Sequence, residues 1–166
     1  MLAFAQREPL CLERECLEGH FTASAFVISP DHSSAVLIKH RKLNKWLQPG
    51  GHADGSDNLR ATAKLEVTQE TGLEDLDEVD GTVFDLDIHH IPQYREVQPH
   101  LHYDVRFLFR SRQWELERNN EAEDIRWVPL TEVAAWSCEE SILRMTRKAL
   151  ATLQSDRSSH AADTSA

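Results

Sequence analysis

The clearest periodic pattern of apolar residues predicts an amphipathic helix over residues 58–71, directly after a Pro-Gly-Gly turn. Leu59, Ala63 and Val67 recur at every fourth position, which places them on one helical face and predicts a buried stripe. Residues with side-chain oxygens fall on another face of the same helix. The pattern therefore predicts a helix with one face that packs against the core and another face that is available for binding or catalysis.

The polar face of this helix carries Glu66, Gln69 and Glu70, whose Cβ atoms lie ~5–6 Å apart at these spacings. Asp57 is suited to cap the helix N-terminus, and Gly72 is suited to follow its C-terminus. A glycine turn brings backbone carbonyl oxygens beside the clustered carboxylates, and such oxygen ligands suit a hard divalent cation. The alternative is that the acidic residues are only the solvated face of a surface helix.

The residues before this helix predict a short helix followed by a β-hairpin. Residues 9–18 are predicted to be helical, with Leu10 and Leu17 packed on the body of the protein. Two segments rich in β-branched and apolar residues, 22–29 and 35–40, predict strands, and the turn-forming residues between them predict the hairpin.

The second half of the chain predicts more strands and then helices. Strands are predicted at 82–89, 100–109 and 125–128, a surface turn at 119–124, and helices at 131–136 and 137–153. Thr131 is the predicted cap of the first of these helices, and the second has an inner side of Ile142, Met145, Ala149 and Thr152 or Leu153. This order predicts a mixed sheet covered on both sides, in a single domain over residues 1–154. Residues 155–166 have little to bury and are predicted to be disordered.

Composition narrows the class of protein. A formal charge of −10 over 166 residues argues against a protein that binds nucleic-acid polymers or a membrane surface. It does not exclude a small anionic substrate, because a bound cation reverses the local sign of charge. The cysteines, Cys11, Cys16 and Cys138, are odd in number and lack zinc-site spacing, so we expect reduced thiols. Without a signal-like or membrane-spanning segment, a cytoplasmic location is expected.

Histidines supply a second group of candidate ligands. His100, His102 and Asp104 alternate along a predicted strand and so share one face, and imidazole with carboxylate suits Mn, Fe or Zn better than Mg. We consider these three as candidate substrate-binding residues, with a hydrogen-bonded polar sheet face as the alternative. His52 follows the glycine turn, where it is either a ligand or a solvated loop residue. The pair at 89–90 is interpreted as a strand end.

The segment from Gly51 to Leu73 resembles the Nudix box, G-x5-E-x7-R-E-U-x-E-E-x-G-U, in which U is an aliphatic residue. The spacing is kept without insertion, and the residues that match are Gly51, Glu66, Val67, Glu70, Gly72 and Leu73. Three positions depart from the pattern, with Asp57, Leu65 and Gln69 in place of Glu, Arg and Glu. The flanking segments at 46–50 and 124–130 are also typical of the family, so the resemblance extends over residues 22–153.

The resemblance implies an α/β fold, a Nudix-type α/β/α sandwich with a mixed sheet, and a hydrolase that depends on Mg²⁺ or Mn²⁺. It implies that Glu66 acts as general base or metal ligand, that Glu70 is the main carboxylate ligand, and that Gly50 contributes its carbonyl oxygen. Gln69 keeps an oxygen but lacks the charge of the usual glutamate. In isopentenyl-diphosphate isomerases, which share the fold, a histidine after a Cys-Gly turn binds metal, so His52 is a candidate compensating ligand. Gly50 stands where their catalytic cysteine would be, and isomerase chemistry is not expected.

The expected substrate is a nucleoside diphosphate linked to another group, or a nucleoside triphosphate. Its diphosphate linkage would be hydrolysed, and a small nucleotide or other diphosphate is therefore the expected partner. By analogy with the family, residues 91–99 form a candidate specificity lid, and a homodimer is a common state. The alternative is a Nudix-fold nucleotide-binding or regulatory module that has lost catalysis, as Leu65 and Gln69 would allow.

Two further sets of residues are considered for substrate contact. The candidate phosphate partners are Arg95, Arg106 and Arg126, and the candidate base-stacking residues are Trp46, Tyr94 and Tyr103. For each of them, an ordinary surface or core position is the alternative.

Overall fold

The computed structural model describes residues 1–79, 81–120 and 122–163, and within them the strands form one eight-stranded mixed sheet. The strands are β1 Gly19–Ile28, β2 Ser34–His40, β3 Lys45–Leu47, β4 Gly50–His52, β5 Leu76–Glu78, β6 Asp85–Ile91, β7 His100–Ser111 and β8 Ala122–Pro129. The helices are α1 Leu2–Arg7, α2 Leu59–Thr71, α3 Val133–Trp136 and α4 Glu140–Asp163. β1 and β7 run parallel, whereas the other strand pairs are antiparallel. The prediction of a mixed sheet is confirmed.

The predicted hairpin between β1 and β2 is also confirmed, because the two strands pair antiparallel with Ile28 opposite Ala35. Its turn is held by Asp31, whose carboxylate accepts hydrogen bonds from the Ser29 hydroxyl at 2.7 Å and from the Ser33 backbone N–H at 3.0 Å. Asp and Ser side chains that bond to nearby backbone favour turns.

The two faces of the sheet bury two separate apolar cores. Alternate residues of β1 point to opposite faces, so Ala23 and Val27 pack on the α2 side, whereas Phe26 packs on the α4 side. The predicted buried stripe of α2 is confirmed, with Ala63 and Val67 fully buried and Leu59 packed partly against the core. The predicted inner side of α4 is confirmed as Ile142, Met145, Ala149 and Leu153.

The start of α2 differs from the sequence prediction by one residue. Asn58, rather than Asp57, is the N-cap, and its side chain accepts a hydrogen bond from the Ala61 backbone N–H at 3.1 Å. An N-cap side chain accepts a hydrogen bond from the backbone N–H two or three residues later, and Asn58 satisfies that spacing with Ala61 in a helix that begins at Leu59. The predicted end is confirmed, because Gly72 has a left-handed φ of 74° and closes the helix.

The predicted helix at residues 9–18 is wrong. The N-terminal helix is α1, and residues 8–18 form turns in which Leu10 and Leu17 are exposed. The carbonyl of Cys11 accepts a hydrogen bond from Phe21 N–H at 2.7 Å, and that of Leu12 accepts one from Gly55 N–H at 3.0 Å. These carbonyls bond to distant segments instead of to the following helical turn, so a helix does not form here.

The elements of the C-terminal half are confirmed in type but shifted in their bounds. α3 follows Glu132 and has no side-chain cap, so Thr131 does not cap it. β8 begins at Ala122, within the predicted surface turn, because it pairs with β2 as far as His40. α4 is helical as far as Asp163, although disorder was predicted from residue 155, and no glycine or proline interrupts that sequence. Residues 164–166 of the predicted tail lie outside the described residues.

None of the helices within the described residues combines the length and the apolar character that are needed to cross a bilayer.

Candidate active site

Two carboxylates of α2 converge on the glycine turn that forms β4. Glu70 Oε2 accepts a hydrogen bond from the Gly50 backbone N–H at 2.9 Å. A Cβ atom placed on Gly51 would lie 2.3 Å from Glu66 Oε1, so the absence of a side chain at this position lets the carboxylate approach the backbone. The two predicted catalytic residues therefore lie beside the predicted backbone ligand.

Gly50 is required by the packing of β4 against β1. It pairs with Ser24, and a Cβ atom on Gly50 would lie 2.3 Å from the Ser24 Cβ atom. A cysteine side chain does not fit at this position without a shift of β1. The expectation that the chain lacks the isomerase nucleophile thus has a steric basis as well.

A pocket of about 830 Å³ opens over this turn. One wall is the polar face of α2, with Glu66, Gln69 and Glu70, and Leu65 lies at its rim with 54% of its surface exposed. The lining also includes Arg14 and further residues that the sequence did not indicate: His40, Lys42, Asp54, Asn119 and Asn120.

Arg14 and Lys42 place positive charge beside the acidic face of α2. Arg14 Nη2 donates a hydrogen bond to Asp54 Oδ2 at 2.6 Å. This bond holds the pKa of the Asp54 carboxyl below its usual range, although burial opposes the shift. Arg14 lies in the segment predicted to be a helix, and no local pattern relates it to the glycine turn. A pocket lined by both cations and carboxylates can accommodate a metal ion together with an anionic ligand.

A second pocket of about 220 Å³ adjoins the first and shares the glycine turn, His52 and Glu70 with it. Its lining includes two of the predicted substrate-binding residues, His102 and Asp104, together with Gln48. His52 therefore lies between the acidic face of α2 and a group of histidines on the sheet.

Asp104 is held by hydrogen bonds within the protein. Its carboxylate accepts hydrogen bonds from Thr22 Oγ1 at 2.9 Å, from Ser24 Oγ at 2.7 Å and from Arg106 Nε at 2.6 Å. Asp104 is buried, and parallel pairing places Thr22 directly beside it. Asp104 therefore fits the alternative interpretation, in which its side chain belongs to a hydrogen-bonded polar face of the sheet.

Arg106 is the centre of a buried charge network. Its side chain is 2% exposed and lies 3.5 Å from Asp85, 3.4 Å from Asp87 and 2.6 Å from Asp104. Arg144 of α4 also donates to Asp85, at 2.7 Å. Burial opposes ionisation of Asp85, but the hydrogen bonds from Arg144 and Lys148 outweigh it, so its pKa lies below the usual range.

Most of the other residues predicted to contact substrate already contact another side chain of the protein. Arg126 is paired with Asp124 at 2.9 Å, and Arg95 lies over the Tyr94 ring. Tyr103 is buried and stacks on Phe4 with the ring centroids 4.1 Å apart. Trp46 packs edge-on against Trp136, at 4.9 Å. Of the predicted base-stacking residues, Tyr94 is the exposed one.

The charged side chains of strand β6 face the buried charge network around Arg106. Asp85 is buried, whereas Leu86 and Ile88 are 52% and 51% exposed. Charged and apolar side chains therefore alternate along this strand, and the charged side is the more buried one.

Five histidines from four strands meet at the end of the same sheet face, and we refer to His20, His52, His89, His100 and His102 as the histidine cluster. Pairing places both His20 and His89 opposite His102. The ring centroid of His20 lies 4.9 Å from the centroid of His100 and 4.9 Å from that of His102. It lies 5.1 Å from the centroid of His52. The sequence did not indicate His20, because its position depends on the register of β1 against β7.

Burial favours the neutral imidazole in three members of the histidine cluster, His20, His52 and His102. Burial lowers the pKa of His52 to about 4, and nearby Arg14 and His20 add to the effect. Burial likewise lowers the pKa of His102 to about 2, and the pKa of His20 is lowered for the same reason. Neutral imidazole is the form that binds a metal ion or accepts a hydrogen bond.

The family model of the NUDIX domain matches residues 19–148. Among curated protein sequences, none matches the chain significantly. Solved structures of the same fold are numerous, with 343 matching chains.

A hydrolase of the NUDIX family from Clostridium perfringens is 18% identical, has a TM-score of 0.60, and aligns over 78% of this chain and 95% of its own. The Ap4A hydrolase of C. elegans, in a binary complex, is 14% identical with a TM-score of 0.58, over 81% of this chain and 98% of its own. The NUDIX domain of Shewanella oneidensis NrtR, complexed with ADP ribose, is 14% identical with a TM-score of 0.53, over 80% and 87% of the two chains. These structural similarities establish that this chain has the α/β fold of the Nudix proteins.

Proposed function

The chain belongs to the Nudix family, and we propose that it is a metal-dependent hydrolase of the diphosphate linkage in nucleoside diphosphate derivatives or nucleoside triphosphates. The observation that supports this most directly is the convergence of Glu66 and Glu70 on the Gly50–Gly51 turn. A surface helix with merely solvated acidic residues would not need a carboxylate pressed against a glycine backbone.

The residues around the turn fit Mg²⁺ or Mn²⁺. The donor set comprises the carboxylates of Glu66 and Glu70, the amide oxygen of Gln69 and the Gly50 carbonyl, and these oxygen ligands are those that hard cations prefer. His52, which lines the same pocket, is a further proposed ligand, and its neutral imidazole would add a donor atom where Gln69 lacks the carboxylate of the usual glutamate. When bound, the cation would offset the charge of the diphosphate and lower the pKa of a water molecule.

Each side chain around the turn is proposed to have its own role in hydrolysis. Glu66 would accept the proton of the attacking water or orient that water. Arg14 and Lys42, which line the same pocket, would bind non-bridging phosphate oxygens and hold the linkage in place. Arg14 is already charge-paired with Asp54, so substrate would compete for its guanidinium group.

The rest of the substrate is proposed to extend into the adjoining pocket towards His102 and Asp104. Residues 91–99 remain the proposed specificity lid, and Tyr94 is an exposed aromatic ring in that segment. The C. elegans protein is an Ap4A hydrolase and the Shewanella oneidensis domain is complexed with ADP ribose, and both support a nucleotide ligand here. A homodimer and a cytoplasmic location remain predictions.

A binding or regulatory module is the second candidate, because of two residues in the box. Leu65 places an exposed apolar side chain at the pocket rim where the family has arginine, and Gln69 removes one carboxylate. The first change removes a positive charge beside the acidic face and the second removes a negative charge from it, and neither change closes the pocket.

An activity assay separates the two candidates. Purified protein with Mg²⁺ or Mn²⁺ is expected to hydrolyse one or more members of a panel of nucleoside diphosphate derivatives and triphosphates. Measurable binding of such ligands without turnover of any of them would overturn the hydrolase proposal and support the binding module.

The substitution Glu70→Gln tests the assigned site. We expect turnover to fall ~100-fold or more, because the main carboxylate ligand loses its charge, with little change in the free energy of unfolding. The matched control is Glu74→Gln, an exposed carboxylate just beyond the same helix, which should leave turnover unchanged. Retained activity with a large loss of stability in Glu70→Gln would show that this face of α2 is structural.

A further inference from the structure

Three members of the histidine cluster form an arrangement that is separate from the proposed cation ligands on α2. One ring nitrogen from each of His20, His100 and His102 lies within 4.8 Å of the other two. We propose that these three histidines form a second metal site, for a divalent cation that prefers nitrogen ligands, such as Zn²⁺. This site stands on its own geometry and does not depend on hydrolase activity.

His20 supplies the first argument. It is 3% exposed, and within the described residues neither Nδ1 nor Nε2 has a hydrogen-bond partner. A buried polar atom without a partner destabilises the folded state, and such atoms are uncommon in native proteins. A metal ion bound to one nitrogen of His20 would remove that cost for the coordinating atom.

His100 supplies the second argument, because its ring is already oriented as a ligand. Its Nδ1 lies 2.8 Å from the Gln98 carbonyl oxygen, so that nitrogen carries the proton and donates it. In the neutral ring, the lone pair is then on Nε2, which lies 3.3 Å from Nε2 of His102. A hydrogen bond from one ring nitrogen to a backbone carbonyl commonly fixes the orientation of a metal-binding histidine.

The spacing of the nitrogens supplies the third argument. Nε2 of His100 and Nε2 of His102 are 3.3 Å apart. Two nitrogens bound tetrahedrally to Zn²⁺ at ~2.0–2.1 Å would be separated by ~3.3–3.4 Å. A hydrogen bond between the two rings would explain this distance as well, but it would leave both nitrogens of His20 without a partner.

The kind of ligand decides the kind of metal. Three imidazole nitrogens suit Zn²⁺, Ni²⁺ or Cu²⁺, whereas Mg²⁺ prefers the oxygen ligands that α2 presents. His52 is the nearest candidate for a fourth ligand, since its ring centroid lies 5.1 Å from those of both His20 and His102. A tetrahedral site would therefore be completed by His52 when it does not bind the cation at the glycine turn, and otherwise by water.

The experiment uses the full chain, stripped with a chelator and then titrated with Co²⁺ or Zn²⁺ in excess Mg²⁺. We expect one Co²⁺ per chain, with the intense visible absorption of a four-coordinate site, and its displacement by one equivalent of Zn²⁺. Zn²⁺ at ~100 times its Kd should also raise Tm by ~5–10 °C relative to the stripped protein.

Variants assign the bound metal to a site. His20→Asn and His100→Asn should each weaken Co²⁺ binding by ~100-fold or more, since loss of an orienting group alone costs 10–100-fold. His90→Asn is the matched control, because His90 lies on the same sheet edge, is exposed and is outside the cluster; it should bind as wild type does. The double variant Glu66→Gln, Glu70→Gln should retain the cobalt spectrum while losing turnover.

Two results would overturn the second metal site. The first is failure of the wild-type chain to bind Co²⁺ or Zn²⁺ in excess Mg²⁺. The second is binding that His100→Asn leaves unchanged, or that the double glutamate variant abolishes. His100 is partly exposed, so His100→Asn is expected to fold even where His20→Asn does not, which keeps the test decisive.

Discussion

Two polar groups of very different character share one face of β1 and β7. At one end, Arg106 is bonded to Asp104 and paired with Asp85, and Arg144 of α4 joins the same network. At the other end lies the histidine cluster, in which His20 is as deeply buried but has no hydrogen-bond partner within the described residues. The acidic–arginine network is satisfied within the protein and is structural, whereas the histidine cluster is incomplete as it stands.

The difference shows how burial of a polar group can be interpreted. A buried charge is tolerated when it is paired and hydrogen-bonded, and removal of one partner is then strongly destabilising. A buried group without a partner is an energetic cost that binding of a ligand can remove. The network should therefore govern stability in all conditions, and the histidine cluster should respond to metal ions and to pH.

The largest effect is expected from Arg106→Met. This change leaves three buried or half-buried aspartates without their central cation and should lower the free energy of unfolding by ~3–5 kcal/mol. Urea denaturation monitored by circular dichroism would measure it. The control, Arg126→Met, removes an exposed arginine that pairs with Asp124, and should cost less than ~1 kcal/mol. Equal losses in the two variants would contradict the distinction between a buried and an exposed pair.

An intermediate effect is expected when the metal-free protein is acidified. His52 stays neutral in the folded state down to pH 4 or so, because its pKa is lowered to about 4, whereas in the unfolded state it is protonated below ~6.5. The unfolded state then binds more protons, so stability falls as pH decreases from ~6.5 to ~4, by on the order of 1 kcal/mol per pH unit for each such histidine.

Urea denaturation at several pH values with a chelator present would measure this slope. The variant His52→Gln should show a shallower dependence on pH, whereas His90→Asn should match wild type. A wild-type stability that is constant between pH 6.5 and 4.5 would contradict the burial of neutral histidines.

The smallest effect is expected from His100→Asn in the absence of metal. His100 is partly exposed, so its loss should change the free energy of unfolding by less than ~1 kcal/mol. The same variant compared in saturating Zn²⁺ should differ from wild type by several degrees in Tm. Thermal unfolding with and without Zn²⁺ makes both measurements, and a large difference in the metal-free state would mean that the histidine supports the fold directly.

Local signals in the sequence were enough for the helix and turn that carry the acidic residues. The apolar spacing, the polar residues before Leu59 and the glycine at position 72 placed α2 within one residue, and box spacing then positioned Glu66 and Glu70. These features depend on residues that are close in sequence, so they can be inferred without the rest of the fold.

The remainder of the site depends on contacts between distant segments. His20 meets His102 only because β1 pairs in parallel with β7, and no local pattern fixes that register. Arg14 reaches the pocket from turns whose carbonyls bond to other segments. Along β6, the side that faces inward is decided by Arg106 on the neighbouring strand.

The parallel pairing of β1 with β7 also has a consequence for the order of events in folding. Thr22 and Asp104 are separated by 82 positions, and the long loop between them must close before their hydrogen bond can form. Strand pairs with such large sequence separation form slowly. The histidine cluster and the arginine network therefore assemble only after this late step, and a metal ion added during refolding should slow unfolding without accelerating the formation of α2 or of the β1–β2 hairpin.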